Sequence, residues 1–157
     1  MGEILSREDA LRRRAAARSL GRTFVFTNGC FDVIHPGHVA LLQAAKKLGH
    51  YLMVGLNSDR SVRGLKGEGR PAQGEGARSV VLAAMRDVDG VVLFDDPTPR
   101  ELIDELVPDV LVKGGDYAAD QVVGRETVER AGGRVVIVPL VPGQSSSVIL
   151  DRMRSAR

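Results

Sequence analysis

The sequence predicts an α/β protein built on a Rossmann-like, open parallel sheet of five strands with helices on both faces. One observation is that five short apolar runs rich in β-branched residues recur along the chain, separated by stretches with helical spacing. Continuous apolar strands that alternate with amphipathic helices are typical of a parallel sheet covered on both sides. A second observation is that polar or glycine-rich clusters follow four of these runs directly. Ligands of such sheets bind at the carboxyl ends of the strands, so these clusters are expected to share one crevice.

The predicted elements alternate along the chain. The strands are expected at residues 24–26, 51–56, 91–94, 110–112 and 135–138. The helices are expected at residues 4–19, 37–48, 77–87, 98–106, 124–131 and 145–154. Ser6 and Thr98 are predicted N-caps, and Gly21 is placed just past the end of the first helix. The segment from 61 to 76 is predicted to be a long irregular loop, and a loop of that length in a compact domain is often a functional lid.

Composition excludes several classes of protein. The 157 residues suit one domain, and the formal net charge of +2 gives no case for a surface that coats nucleic acid. The arginines of the first helix (Arg12, Arg13, Arg14 and Arg18) fall on several faces without interleaved aromatics, which predicts a solvated helix. Cys30 is the only cysteine, so no intrachain disulfide can form. No apolar run reaches membrane-span length. We expect a cytoplasmic protein that binds neither nucleic acid nor membrane.

The stretch from residue 27 to residue 38 carries the predicted chemistry. It runs from a strand through a glycine-bearing turn into a helix, and His35 and His38 lie at the mouth of that helix. Pro36 suits the first helical turn, and Gly37 permits close approach of the backbone to a ligand. Free amides and the helix dipole favour an anion at this end, so the pattern predicts a phosphate site. The alternatives are a metal site with Cys30 as third ligand, or two structural histidines.

Further motifs make the chain resemble a known family. Asn28-Gly29-Cys30-Phe31-Asp32, followed by His35-Pro36-Gly37-His38, resembles the His-x-Gly-His signature of the cytidylyltransferase-like nucleotidyltransferases. The similarity covers about residues 20 to 152, with Leu56-Asn57-Ser58-Asp59, Leu65-Lys66-Gly67 and Arg70-Pro71 in the same order. Lys113-Gly114-Gly115-Asp116-Tyr117 and Gly143-Gln144-Ser145-Ser146-Ser147 resemble the branch that adenylylates heptose 1-phosphate.

The resemblance implies a division of the chain and a set of site residues. Residues 1–20 would form an N-terminal helix and residues 21–157 the nucleotidyltransferase domain. The implied catalytic residues are His35, His38 and Lys66. The implied nucleotide-binding residues are Asn28, Gly29, Cys30, Phe31, His35, Gly37, His38, Arg78, Lys113, Gly114, Asp116, Ser145, Ser146 and Ser147. The implied substrate-binding residues are Asp32, Asn57, Asp59 and Lys66.

The same resemblance implies the reaction and its participants. A homodimer is expected to transfer a nucleotidyl group, AMP from ATP, to D-glycero-D-manno-heptose 1-phosphate, giving ADP-heptose and pyrophosphate. Mg²⁺ is expected to come with the nucleotide, held by phosphate oxygens and water rather than by a protein cage. The chain departs from the pattern at Gly76-Ala77, where relatives carry Glu-Gln, and at Val148, where they carry Asn. A glycerol-3-phosphate-type cytidylyltransferase and a non-catalytic nucleotide-binding module are the alternative functions.

Overall fold

The computed structural model describes residues 1–116 and 118–156, so Tyr117 of the predicted motif lies outside the described residues. Within them, one all-parallel sheet contains six strands in the order β1-β4-β3-β2-β5-β6. The strands are β1 (Glu3–Leu5), β2 (Phe24–Gly29), β3 (Tyr51–Asn57), β4 (Gly90–Phe94), β5 (Val110–Gly114) and β6 (Arg134–Val138). The prediction of an open parallel sheet with flanking helices is therefore confirmed, and its count of five strands is wrong.

Seven α-helices connect and cover the strands in the described part of the chain. They are α1 (Arg7–Ser19), α2 (Pro36–Lys46), α3 (Asp59–Lys66), α4 (Glu75–Ala83), α5 (Arg100–Leu106), α6 (Arg125–Arg130) and α7 (Ser146–Ser155). A short 3₁₀ turn, Ala119–Gln121, follows β5. The predicted helices that match these differ from them mainly at their ends, where hydrogen bonding fades gradually.

The missed sixth strand lies at the edge of the sheet. Residues 3–5 pair in parallel with β4, from Glu3 against Gly90 to Leu5 against Val92. The first helix therefore begins at Arg7 and not at residue 4, and Ser6 caps it by accepting a hydrogen bond from the Asp9 amide, as predicted. A three-residue edge strand has too short an apolar pattern to be recognised without its partner.

Two other local predictions are also wrong. Residues 61–66 of the expected loop from 61 to 76 belong to α3, a two-turn helix capped by the Ser58 hydroxyl and anchored by buried Val62, and residues 75 and 76 belong to α4. The sequence did not predict this helix, because α3 is rich in charged residues and contains a glycine, and a single buried apolar residue gives little periodic signal. The fifth helix begins at Arg100 after Pro99 and has no side-chain cap, so Thr98 does not cap it.

The core lies in two layers, one on each face of the sheet. One layer packs α1 and α5 against residues such as Phe26 and Leu111, and the other packs α2 and α4 against residues such as Val54 and Val112.

The prediction that Arg14 is solvated is wrong, because Arg14 is only 5% exposed. Its guanidinium donates to the carbonyl oxygens of Leu106 and Val107 and to both carboxylate oxygens of Asp109.

The strand order determines where a ligand can bind. From β2 the chain moves outward through β3 to β4 on one side, and β5 and β6 lie on the other side of β2. The order thus reverses between β2 and β5, and in open α/β sheets the binding crevice lies at such a reversal.

Across the described residues, no helix is both long enough and apolar enough to cross a bilayer.

Candidate active site at the carboxyl ends of the strands

The two predicted histidines meet at the N-terminus of α2. His35 is the N-cap residue of this helix, and its Nδ1 accepts a hydrogen bond from the Gly37 amide at 3.1 Å. The His35 and His38 rings stack with centroids 3.8 Å apart. A Cβ atom at position 37 would lie 2.9 Å from the His35 ring, so glycine is required for this close approach. The structure therefore places both imidazoles together at a helix end that favours anions.

His38 is the more buried of the two rings. It packs on Phe31 at 5.0 Å between centroids, and its Nδ1 is buried without a hydrogen-bond partner among the described residues. Burial, with smaller contributions from His35 and Lys66, lowers the pKa of His38 to about 4. The imidazole is therefore neutral at pH 7, and a neutral imidazole can donate one hydrogen bond without prior loss of a proton.

Lys66 supplies positive charge to the same region from the last turn of α3. Burial lowers the pKa of His35, and the ammonium of Lys66 lowers it further. Lys66 itself is exposed, and Gly67 follows it with a φ of +87°, where α3 ends. The three residues predicted to be catalytic thus lie within electrostatic reach of one another.

A crevice of about 370 Å³ opens at the point where the strand order reverses. Its walls include Asn28, Gly29 and Cys30 from the end of β2, and Asn57 and Lys113 from the ends of β3 and β5. The structure therefore brings these five predicted residues into one cavity. The remaining walls are Leu65 of α3 and two segments that were not predicted to bind a ligand, Pro97–Pro99 and Gln121–Val123. Both segments follow strands, which was the available signal.

Burial and nearby charges shift the pKa values of two side chains in this crevice, Cys30 and Lys113. Burial raises the pKa of the Cys30 thiol, and nearby Lys66, Arg78 and Arg70 act in the opposite direction. Burial lowers the pKa of Lys113, and Cys30 acts against that change. Gly114 lies against Leu41 of α2, and Asp116 is exposed.

A second helix N-terminus lies beside the histidine turn. Ser145 caps α7 by accepting a hydrogen bond from the Val148 amide. Ser146 is buried and donates to the Val33 carbonyl oxygen at 2.9 Å, while Ser147 is exposed. Gln144 lies close to Gly37: a Cβ atom added at position 37 would be 3.4 Å from the Cβ atom of Gln144. The amino ends of α2 and α7 therefore adjoin, as a triphosphate site would require.

Three predicted ligand-binding residues have polar groups that already form hydrogen bonds within the protein: Asp32, Asp59 and Arg78. Asp32 is 2% exposed and accepts hydrogen bonds from loop residues 70, 72 and 73. Burial acts to raise its pKa, but the loop amides and the Arg70 guanidinium outweigh burial and hold it below its usual value. Arg78 is 1% exposed and donates to three backbone carbonyl oxygens and to Asp59, which lines a separate cavity of about 570 Å³.

The described residues form no protein cage for a metal ion. Over residues 1–116 and 118–156, no group of three or more histidine, cysteine, aspartate or glutamate side chains is arranged to hold one. Asp32, the acidic side chain closest in sequence to the histidines, has both oxygens engaged by the loop. This donor set suits a cation that arrives already bound to phosphate oxygens and water.

Comparison with known proteins points to one family. The sequence model of the cytidylyltransferase-like family matches residues 26–149. The bifunctional protein HldE of Gluconobacter oxydans is 54% identical over 155 residues, which are 99% of this chain and 32% of that protein. The HldE protein of Azorhizobium caulinodans is 53% identical over 154 residues, again 32% of its length.

A solved structure supports the same fold. The lipopolysaccharide core biosynthesis protein from Thermoplasma volcanium superposes with a TM-score of 0.63 at 27% identity, covering 77% of this chain and 98% of that one. The chain spans about a third of the length of the curated relatives it matches.

Proposed function

Because the chain belongs to the cytidylyltransferase-like family, whose members are nucleotidyltransferases, we propose that it transfers AMP from ATP to D-glycero-D-manno-heptose 1-phosphate, releasing pyrophosphate and forming ADP-heptose. An oxygen of the sugar phosphate attacks the α-phosphorus of ATP, and the bond from that phosphorus to the pyrophosphate oxygen breaks. The attacking oxygen is already ionised at neutral pH, so no strong general base is needed. Catalysis then depends on bringing two anions together and on stabilising the charge of the leaving group.

The observation that carries this proposal is the stacked pair of imidazoles at the N-terminus of α2. His35 and His38 lie at the positive end of the α2 dipole, and Lys66 adds positive charge nearby. Together these groups can hold the α-phosphate and the bridging oxygen on which charge develops. Ser145 and Ser146, at the start of α7, lie beside them and suit the outer phosphates.

The crevice between β2 and β5 suits the base and ribose of the nucleotide. Its walls of backbone and small side chains, Gly29 and Cys30 among them, permit close approach. The preference for ATP and for a heptose rests on the resemblance of the Lys113-Gly114-Gly115-Asp116 motif. The part that the solved relative plays in lipopolysaccharide core biosynthesis also favours a sugar phosphate.

Mg²⁺ is proposed as the accompanying cation, bound to the phosphates of ATP. Its positive charge would offset the triphosphate charge, and the residues of this site need supply no ligand.

A cytoplasmic location and a homodimer complete the proposal. Exposed Ile4 on the edge strand β1 and exposed Val80 on α4 are apolar surfaces that a second copy could cover, and sedimentation velocity would measure the mass of the assembly.

The test is pyrophosphate release from purified chain supplied with Mg²⁺ and each of four nucleoside triphosphates. Each triphosphate is paired with both anomers of heptose 1-phosphate and with glycerol 3-phosphate. Turnover with ATP and one heptose anomer supports the proposal. Turnover confined to CTP and glycerol 3-phosphate would assign the chain to the alternative branch, and ATP binding without turnover on any acceptor would make it a nucleotide-binding module.

A further inference from the structure

The segment between α3 and α4, residues 67–74, is held by two buried side chains of opposite charge. We call this segment the strap. Asp32 and Arg78 both form hydrogen bonds to it, and each makes four hydrogen bonds with protein groups. Neither side chain is free to reach a ligand while these bonds are made, so the role of each is to be found in what it holds.

Asp32 holds the strap through its backbone and through one side chain. Its carboxylate accepts from the Ala72 amide at 2.8 Å and 2.9 Å, from the Gln73 amide at 3.0 Å, and from Arg70 Nε at 2.7 Å. The Asp32 side chain is 1% exposed and the Arg70 side chain 10% exposed. Hydrogen bonds from donors to a buried carboxylate are among the stronger ones in proteins, so this end of the strap is firmly held.

Arg78 connects the strap to the ends of two strands and to α3. It donates to the carbonyl oxygen of Gln73 at 2.9 Å, of Cys30 at 2.7 Å and of Asn57 at 2.8 Å, and to the Asp59 carboxylate at 2.7 Å. Four of the five donors of its guanidinium are therefore used. Because Asp59 opens α3 and Lys66 ends it, this contact also fixes the helix that carries Lys66.

We propose that Asp32 and Arg78 are positioning residues that pin the strap and α3 so that Lys66 is held beside His35 and His38. This inference rests on the proposed function, since it gives Lys66 its task at the triphosphate. It assigns to Asp32 and Arg78 a task different from the ligand contacts that the family resemblance implies for them.

The strap has little else to fix its shape. Gly67 and Gly69 adopt positive φ values of +87° and +80°, and the surrounding residues from 63 to 69 are exposed. A segment with so few buried apolar groups has a low cost of local opening. Burying two charges costs free energy, and the eight hydrogen bonds offset that cost. The five of them that reach the strap give its backbone one defined path. Without them Lys66 would sample many positions.

The first measurement uses the ligand-free protein and needs no substrate. In Asp32→Asn, an amide NH₂ replaces one acceptor oxygen and faces the donors of the strap. We expect hydrogen exchange at residues 72 and 73 to be at least about tenfold faster than in the wild type, which corresponds to about 1.4 kcal/mol of lost protection. Unchanged exchange at both amides would overturn the pinning. A wild-type chain with no turnover would defeat the proposed function and leave this measurement decisive.

The second measurement asks whether the pinning acts through Lys66. Asp32→Asn and Arg78→Lys are each combined with Lys66→Ala, and kcat and the ATP dissociation constant are measured for all variants. Lysine keeps the charge at 78 but not the planar fork of donors. We expect each single variant to lower kcat at least about tenfold, and to lower it no more than about twofold further once Lys66 is absent. Losses that multiply independently in the double variants would overturn the proposal.

A matched control separates positioning from general damage to the fold. Arg14→Lys disturbs an equally buried arginine that is paired with Asp109 at the opposite ends of the strands. We expect it to lower the melting temperature with kcat within about twofold of the wild type. If Arg14→Lys lowers kcat as much as Asp32→Asn does at equal loss of stability, the effect of Asp32 is structural and the proposal fails.

Discussion

At the scale of single residues, His38 joins a buried environment to a reactive position. Its ring lies between those of Phe31 and His35, and its pKa falls to about 4 because burial disfavours the charged form. A neutral donor held in place needs no reorganisation as charge develops on the leaving group. The family motif predicted the residue, whereas its stacking and burial came from the tertiary structure.

Replacing this ring should remove activity without removing the fold. We expect His38→Ala to lower kcat at least about 10²-fold, the usual effect of losing one preorganised donor. Pyrophosphate release measures the rate, and circular dichroism checks the fold. His50→Gln is the matched control, because His50 is exposed and its Nδ1 accepts only from the Thr23 amide at the other end of the sheet. A His38→Ala enzyme with near-wild-type turnover would refute the assignment.

The same histidine should make the stability of the protein depend on pH. The pKa of His38 is lower in the folded protein than the usual 6.5, so the unfolded chain binds more protons and the folded state loses stability as pH falls from about 6.5 towards 4. The shift of His35 has the same direction. Asp32 has a pKa below 3.8, so its contribution is lost only at still lower pH.

Urea unfolding at pH 7 and pH 5 tests this dependence. We expect the free energy of unfolding to fall by roughly 1–2 kcal/mol for His38 alone over that interval, and His38→Gln to remove most of this change. His50→Gln should leave the change in place. An equal pH dependence in His38→Gln and the wild type would show that His38 titrates normally in the folded protein.

At the scale of elements, the site is made where two helix N-termini adjoin. The Ser146 hydroxyl joins α7 to the histidine turn through the Val33 carbonyl oxygen. We expect Ser146→Ala to lower the free energy of unfolding by about 1–2 kcal/mol, since it removes a hydrogen bond to that part-buried carbonyl oxygen, and to raise KM for ATP. Ser155→Ala, at the exposed end of the same helix, removes a hydroxyl bonded only to the Asp151 carbonyl oxygen and is the control. Equal KM values for the two variants would separate α7 from the triphosphate site.

The α3 element shows the limit of reading helices from pattern. Its sequence carries one buried apolar residue, Val62, among charged residues and glycine, so the segment was expected to be a loop. What stabilises it is the Ser58 cap and the contacts of Asp59 with Glu75 and Arg78, which come from another element. Such contacts between distant residues are not visible in local spacing.

At the scale of the whole molecule, the buried Arg14 contacts that stabilise the fold and the crevice proposed to bind the nucleotide lie at opposite ends of the sheet. Arg14 joins α1 to two carbonyl oxygens at the end of α5 and to Asp109, while the crevice lies at the carboxyl ends of the strands. Asp109 is 41% exposed, so solvent screens part of the ion pair. We expect Arg14→Met to lower the free energy of unfolding by on the order of 2–3 kcal/mol with kcat/KM unchanged. A loss of kcat/KM at temperatures where the variant stays folded would contradict this division.

The alternation of apolar runs with helical stretches determined the parallel sheet, because strands buried on both faces must be apolar throughout. The strand-turn-helix motif likewise determined the position of His35 and His38, since local spacing alone places them at a helix mouth. Only the tertiary structure decided that the edge strand β1 pairs with β4, that Arg14 is buried, and that Asp32 and Arg78 grip the strap. Each of these depends on a partner far away in the sequence, and the burial or pairing of a side chain is a property of the contact rather than of either residue.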